Sequence, residues 1–388
     1  VKNEAGSISL SALLAGALLC LLAAGAAILV RSVPLAPLEL PGSPGPVDST
    51  VVPIEMRFAV GPLAVGPSSP RTDLSGIVIP AGPAGRDSVQ GGWAREFWLV
   101  DDKANRLEAM IVHGRIVPRD GGSALMAIRP LAIDNPSHLP IGDDMEDLAR
   151  LATTDAEPIY VAASGETGPA GQGVSWLYLF EQRDARLTLR WSGVGSPAGE
   201  SVGNNGFEGV ALIRLGADTL ALLGFKERPD PTYVRSFLFR EVSGVCGPLA
   251  FAPAAGSDSV TLVPIQRIGM DRIEGMKSQA GACIGSTGDL YVLDRTRRRI
   301  AIVDRFQLEA AIRDTADNLI PVREWLDYAS LEALLENKTD PGAPLSLFGT
   351  VEGIAFGPDG HLYLVADNNE TGPSTVLTLV PKGVGAGR

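Results

Sequence analysis

The chain has few of the residues on which familiar catalytic signatures rest. Three histidines stand in 388 residues, at 113, 138 and 361. None lies in an HExxH or RHGxRxP arrangement, which excludes those metalloprotease and phosphatase chemistries. Neither Gly165-Glu166-Thr167-Gly168 nor Trp191-Ser192-Gly193 makes the GxSxG turn of a serine hydrolase. GPAGQG at 168 to 173 lacks the Lys-Ser/Thr end that a phosphate-binding loop needs. Positive charge is also scarce. The net charge is −12, and the one dense basic run, Arg295 to Arg299, reads as the turn after a strand. A nucleic-acid backbone is therefore excluded as the main partner. Of three cysteines, Cys20 falls in an apolar run, leaving Cys246 and Cys283 for the folded part. Their spacing leaves both a disulfide and two separate thiols open.

What the chain has in quantity is glycine (45) and proline (29), with a charged fraction of only 20%. That composition fits many short strands joined by turns. Val351 to Phe356 alternate, Gly357-Pro358-Asp359-Gly360 makes a tight turn, and Leu362 to Ala366 return as a second apolar strand. The same hairpin recurs upstream. Aligning the second residue of each unit gives Ser75, Glu146, Glu208, Ala280 and Glu352, at steps of 71, 62, 72 and 72 residues. Further strands follow each hairpin, as at Trp176 to Phe180 with Leu187 to Trp191, and at Val234 to Phe239 with Val260 to Val263. Four strands per unit make a propeller blade. The units exceed the roughly 40 to 45 residues of a compact WD repeat, so large loops are expected. The expected fold is an all-β propeller with five legible blades, a sixth being possible within 226 to 279. Ile54 to Val60 and Thr375 to Val380 lack local partners and are expected to complete one sheet together, closing the ring. Helical spacing at Phe306 to Ile312 and Leu331 to Glu336 predicts a small helical insertion over about 306 to 340.

Leu10 to Val30 are almost continuously apolar, between Lys2 and Arg31. Residues 1–31 therefore read as an N-terminal apolar helix, either a cleaved signal peptide or a transmembrane signal anchor. Residues 32–50 form a proline-rich linker, and 51–383 the propeller domain. The expected location is extracytoplasmic, periplasmic or secreted, with membrane contact only through the N-terminal segment. The domain is expected to be a monomer.

LSGI at 74 to 77, DMEDLA at 144 to 149, NNGFEGVAL at 204 to 212, LYVLDR at 290 to 295 and VEGIAFGPDGHLYLVADNN at 351 to 369 occur in this order. Together they resemble the phytase-like domain family, described as having esterase-like activity of phytase, over about residues 70 to 382. The resemblance implies an exported propeller that hydrolyses a phosphoester or ester. The chain departs from the family pattern where Ser164 and Leu223-Gly224 stand in place of an acidic residue.

In an up-and-down blade the start of the innermost strand and the end of the next lie at one end of the sheet. One face of the ring is thus expected to gather Glu146, Glu208 and Glu352 with Asp101, Asp102, Asp294, Asp367, Asn368 and Asn369. Such oxygens suit Ca²⁺, which takes 6 to 8 oxygen ligands. Glu146, Glu208, Glu352, Asp367 and Asn368 are the candidate ligands, and the three glutamates are also the candidate acid/base groups. A bound cation would polarise a phosphoryl or ester oxygen. Lys226 and Arg295, with Lys103, are placed to bind the substrate's phosphate. Ser75 and Ala280 at the equivalent positions show that a blade does not itself require the carboxylate. The competing expectations are a gluconolactonase-like hydrolase with a similar metal site, and a non-enzymatic propeller that binds an envelope component.

Overall fold

Five inner strands pack against one another in a closed cycle. The computed structural model describes residues 49–65, 74–80, 96–101, 110–118, 124–136, 138–139, 144–151, 159–167, 174–183, 186–194, 206–227, 232–243, 260–265, 270–314, 316–329, 331, 350–357, 360–367 and 374–382. The apolar run, the linker before residue 49, Cys246 and Asn368 lie outside them. Among the described residues no helix is long and apolar enough to cross a membrane.

In chain order, β1 (Thr50–Pro53) and β2 (Phe58–Val65) precede blade 1, which is β3 (Leu74–Val78), β4 (Glu96–Asp101), β5 (Ile111–Pro118) and β6 (Ala124–Pro130). After β7 (Ala132–Asp134), blade 2 is β8 (Asp144–Arg150), β9 (Ile159–Thr167), β10 (Val174–Arg183) and β11 (Arg186–Val194). Blade 3 holds β12 (Phe207–Arg214), β13 (Thr219–Lys226), β14 (Val234–Ser243), β15 (Val260–Ile265) and β16 (Met270–Ile273). Blade 4 begins with β17 (Gln279–Ile284), β18 (Leu290–Asp294) and β19 (Arg299–Val303). Helix α1 (Arg305–Arg313), β20 (Leu319–Ile320) and β21 (Glu324–Asp327) follow. Blade 5 is β22 (Thr350–Phe356), β23 (Leu362–Asp367) and β24 (Thr375–Pro381).

The inner strands contact each other in the order β3, β8, β12, β17, β22 and back to β3. Strand periodicity explains why this ring has one core per interface. In β9, Tyr160 and Ala162 pack with Phe207, Val210 and Leu222 of blade 3. Val161 and Ala163, one residue out of phase, pack with Val78, Trp98 and Val100 of blade 1. Five such clusters fill five interfaces, so the blade count is five. The region that left room for a sixth blade, 226 to 279, supplies the outer strands of blade 3 among its described residues. Edge-to-face aromatic pairs join blades 1 and 5 (Phe97 and Tyr363, 5.4 Å), 2 and 3 (Trp191 and Phe239, 5.1 Å) and 4 and 5 (Tyr291 and Phe356, 4.6 Å).

Closure follows the expected route with a shifted start. Ile54–Met56 form a 3-10 turn, and the strand begins at Phe58. It pairs antiparallel with β24 from Phe58 opposite Pro381 to Val65 opposite Thr375. Its far end also meets β6 in parallel, so blades 5 and 1 share one eight-stranded sheet. β1 adds in parallel to β21 at the rim of blade 4. The insertion after blade 4 is only partly helical. Asp304 caps α1 by accepting from the Phe306 N–H at 2.8 Å. Glu324-Trp325-Leu326-Asp327 pairs with β19, Ile300 opposite Leu326, so this segment is a strand. Residues 332–349 lie outside the described set.

The axis is narrow because in four inner strands the residue after Ser75, Glu208, Ala280 or Glu352 is glycine. A Cβ on Gly209 would sit 2.1 Å from the Ala280 carbonyl oxygen, and one on Gly281 would sit 2.4 Å from that of Glu352. Both obstacles are backbone atoms of the next blade, which cannot rotate away. Gly209→Ala is expected to destabilise the protein by about 1–3 kcal/mol through overpacking. Urea unfolding would measure it, and an unchanged midpoint would show that the blades separate without strain.

Candidate active site at the carboxylate mouth of the channel

A bulge sits at the same place in all five inner strands. The pairing register of β8 with β9 skips Glu146, that of β12 with β13 skips Glu208, and that of β22 with β23 skips Glu352. In β3 and β17 the skipped residues are Ser75-Gly76 and Ala280-Gly281. A bulge leaves its extra residue out of the ladder and re-aims the side chain. The expected repeat position is therefore real, and all three glutamates on it are half-buried. The strand ends also meet as expected: Leu74 lies opposite Asp101, Phe207 opposite Lys226, Gln279 opposite Asp294 and Thr350 opposite Asp367. Asp367 ends β23, but its side chain lies outside the described residues, as do Asp102, Lys103, Asn368 and Asn369 in full.

Arg295, one residue past β18, organises the site. Its guanidinium donates to Glu352 Oε1 at 2.6 Å and also to Glu227 Oε1. Glu227 is 1% exposed at its side chain and accepts a further bond from Ser278 Oγ at 2.9 Å. Burial works against the Arg295 charge, yet Glu227 and Glu352 outweigh it and raise its pKa. Burial holds the Glu208 carboxyl well above the ordinary carboxylate range. The charges of Glu227, Glu352 and Glu166 add to that shift, and Arg295 opposes it. Burial likewise pushes Glu166 up to about 7, against the Gly206 N–H. The Lys226 ammonium lies over the Tyr233 ring, 5.2 Å from its centre, and is buried.

Glu166 and Glu227 did not stand out in the sequence. β9 runs on to Thr167 and β13 to Lys226, past the points where Ser164 and Leu223-Gly224 suggested strand ends without an acid. Each blade that seemed to lack an acid at its strand end thus supplies one a little further on. Asp147 was also missed. It occupies the position that is glycine in the other four inner strands, and it is fully buried. Its Oδ2 accepts from the Val210 N–H at 2.9 Å and the Ala282 N–H at 3.2 Å, tying blade 2 to blades 3 and 4, and burial raises its pKa well above the ordinary value.

Two expected roles change. Asp294 accepts from the Lys277 N–H at 3.0 Å and the Arg297 N–H at 3.1 Å, so it fixes two turns. Arg295 was expected to await phosphate, and it is held between two carboxylates instead. Among the described residues no three His, Cys, Asp or Glu side chains form a group able to hold a metal, and the place between Glu227 and Glu352 is filled by a guanidinium. Two of the five candidate ligands, Asn368 and the Asp367 side chain, lie outside the described residues. Cys283 is a free, buried thiol.

These shifts fix how stability depends on pH. Glu166, Glu208 and Asp147 all hold their protons more tightly when folded. Between 4.5 and about 7 an unfolded Glu166 is ionised while the folded one is not, so the native state binds more protons and stability falls as pH rises. His113, whose pKa burial lowers, works in the opposite sense below 6.5, but it is one group against four, because burial raises Asp294 as well. The melting temperature is expected to be higher at the acid end of that window than above it. Glu166→Gln should remove about 3 kcal/mol of the stability change across that window, at about 1.4 kcal/mol per pH unit. A melting temperature that climbs steadily from acid to neutral pH would contradict the burial of these acids.

No protein-family model matches the chain, and no curated protein matches it. Among solved structures it is similar to the soluble aldose sugar dehydrogenase of Escherichia coli in its apo-form. That likeness has 12% identity, a TM-score of 0.37, and covers 84% of this chain and 100% of that one. A structure titled glucose dehydrogenase matches at 12% identity and TM-score 0.36, over 82% of this chain and 99% of that one. Regucalcin of Agrobacterium tumefaciens, titled a calcium-binding protein, matches at 11% identity and TM-score 0.35, over 86% and 96%. No residue role is taken from these likenesses.

Proposed function

We propose that the carboxylate mouth hydrolyses a neutral ester or lactone, with Glu208 as general acid and Glu166 as general base. The observation that supports this most is the pairing of two carboxyls of raised pKa with a carboxylate pair locked by Arg295. Such a set supplies a proton donor and a proton acceptor together near neutral pH. Water attacks the carbonyl carbon as ionised Glu166 takes its proton. The C–O bond then breaks, and Glu208 delivers a proton to the leaving oxygen. A lactone gives one hydroxy acid; an open ester gives an acid and an alcohol. Arg295 is a positioning residue that fixes Glu227 and Glu352 at the mouth through its two hydrogen bonds.

Charge argues against the phosphoester substrate that the phytase-like resemblance implies. Among the described residues several carboxylates surround the Arg295 guanidinium and the Lys226 ammonium, on a chain of net charge −12, so a phosphate dianion would meet repulsion. The apolar run at Leu10 to Val30 supports an extracytoplasmic setting for this reaction. Assays with a δ-lactone, p-nitrophenyl acetate and p-nitrophenyl phosphate, each with Ca²⁺ or chelator, test the reading. Turnover of the lactone or acetate, unaffected by chelator, is expected, with none of the phosphate. The melting temperature should not move with Ca²⁺, whereas a bound ion at a hundred times its Kd would add about 2.7 kcal/mol. Folded protein that turns over none of the three would favour a binding propeller. Loss of turnover on chelation would restore the calcium reading.

A further inference from the structure

Gly206 stands just before β12, and its φ lies outside the left-handed region, so backbone torsion does not call for glycine there. Space does. A Cβ on Gly206 would sit 2.0 Å from Glu166 Oε1 and 2.1 Å from Ser175 Oγ. Ser175 lies opposite Glu166 in the ladder of β9 with β10, which puts the two side chains on one face of blade 2. The blade 3 backbone at Gly206 and Phe207 meets that face. The Gly206 N–H donates to the Glu166 carboxyl, and the Phe207 N–H donates to Ser175 Oγ at 3.1 Å. The Gly206 carbonyl accepts from the Glu227 N–H at 2.9 Å, which ties this turn to the carboxylate pair held by Arg295. Glu166 is 7% exposed, and its Oε1 has no hydrogen-bond partner among the described residues.

We propose that Gly206 and Ser175 are positioning residues for the base: they seat Glu166 against a bare α-carbon and leave its Oε1 open to the attacking water. The role rests on Glu166 being the base of the hydrolytic reaction proposed for this mouth. A carboxylate that accepts several backbone N–H groups is a weaker base and has fewer lone pairs left for water. Ser175 takes up the Phe207 N–H, so Glu166 keeps one backbone donor and one open oxygen. A side chain on residue 206 would occupy the place where that oxygen now lies.

Kinetics with an alkyl ester or δ-lactone, and NMR of protein labelled with ¹³C at its glutamate carboxyls, test the proposal together. The atoms that Gly206→Ala would crowd most are the ends of two side chains, so the variant is expected to fold, which a thermal transition checks. Moving the carboxyl by about 1 Å should lower kcat about 10²-fold and leave KM nearly unchanged. Glu166→Asp alone should also slow the reaction, because its carboxyl falls short of the water. Combined with Gly206→Ala it should be faster than Gly206→Ala alone, since the shorter side chain leaves room for the methyl; purely structural losses would add instead. Gly206→Ala and Ser175→Ala should each move the Glu166 carboxyl resonance, which is assigned by its loss in Glu166→Gln. Should Gly206→Ala not fold, Ser175→Ala, which removes only an oxygen, carries the test through kcat and the resonance. An active wild type whose Gly206→Ala variant folds and keeps its kcat, a double variant slower than Gly206→Ala, or a resonance that neither substitution moves would overturn this inference alone. A folded wild type that turns over neither substrate would overturn the hydrolytic reading and this role with it.

Discussion

Arg295→Met is expected to destabilise the protein by about 3–5 kcal/mol, the usual consequence of removing one partner from a buried ion pair. Glu227 is 1% exposed, and its Oε1 is held by the guanidinium and by Ser278 Oγ. Without Arg295 that carboxyl must either stay charged away from water or take up a proton, and Glu352, 16% exposed, loses the same counter-charge. The methionine fills the volume of the stem, so the loss is chiefly electrostatic. Pairing Arg295→Met with Glu227→Gln should recover much of it, because the double variant leaves no uncompensated charge at that point. Urea unfolding of the two single variants and the double variant measures both effects. A single-variant loss below about 1 kcal/mol, or a double variant no better than the single, would mean that the pair is solvated and that Arg295 does not organise the site.

Much of the architecture was legible because a propeller repeats one local device. The bulge and the close axial packing recur in every inner strand, so Ser75, Glu146, Glu208, Ala280 and Glu352 fall at similar steps along the chain. The closing strands were legible because alternating segments without a local partner must find a distant one. The residues that escaped notice did so for packing reasons. Gly165 and Gly224 look like turn residues, yet a Cβ on the first would lie 2.2 Å from the Asp144 carbonyl oxygen and one on the second 2.7 Å from the Phe207 ring. Those strands need a small residue in mid-course, and Glu166 and Glu227 lie beyond it. Asp147 was hidden by its position among the axial glycines, although its being the exception there was a readable signal. The partnership of Arg295 with Glu227 and Glu352 spans 68 and 57 residues of chain, and no local pattern encodes it. β21 escaped because four residues beside a helix carry too little periodicity to compete with the helical reading.

Glu208→Gln is expected to lower kcat for ester or lactone hydrolysis by about 10²- to 10⁴-fold, the range that a positioned general acid contributes. The amide keeps the shape and can still donate a hydrogen bond, but it has no proton to transfer to the leaving oxygen. KM should change little, since the side chain's contribution is made as the C–O bond breaks. The pH profile separates this role from a structural one. Wild-type activity should rise through about pH 7 as Glu166 ionises, and the general-acid role requires a fall on the alkaline side of that rise as Glu208 gives up its proton. Glu208→Gln should lose the alkaline fall while keeping the rise, and Glu166→Gln should lose the rise while keeping the fall. A leaving group of low pKa needs no protonation, so the Glu208→Gln defect should shrink markedly for p-nitrophenyl acetate compared with an alkyl ester or lactone. Equal defects on both leaving groups, with both limbs of the profile intact, would remove Glu208 from proton transfer and leave it as a half-buried acid that only shapes the mouth of the channel.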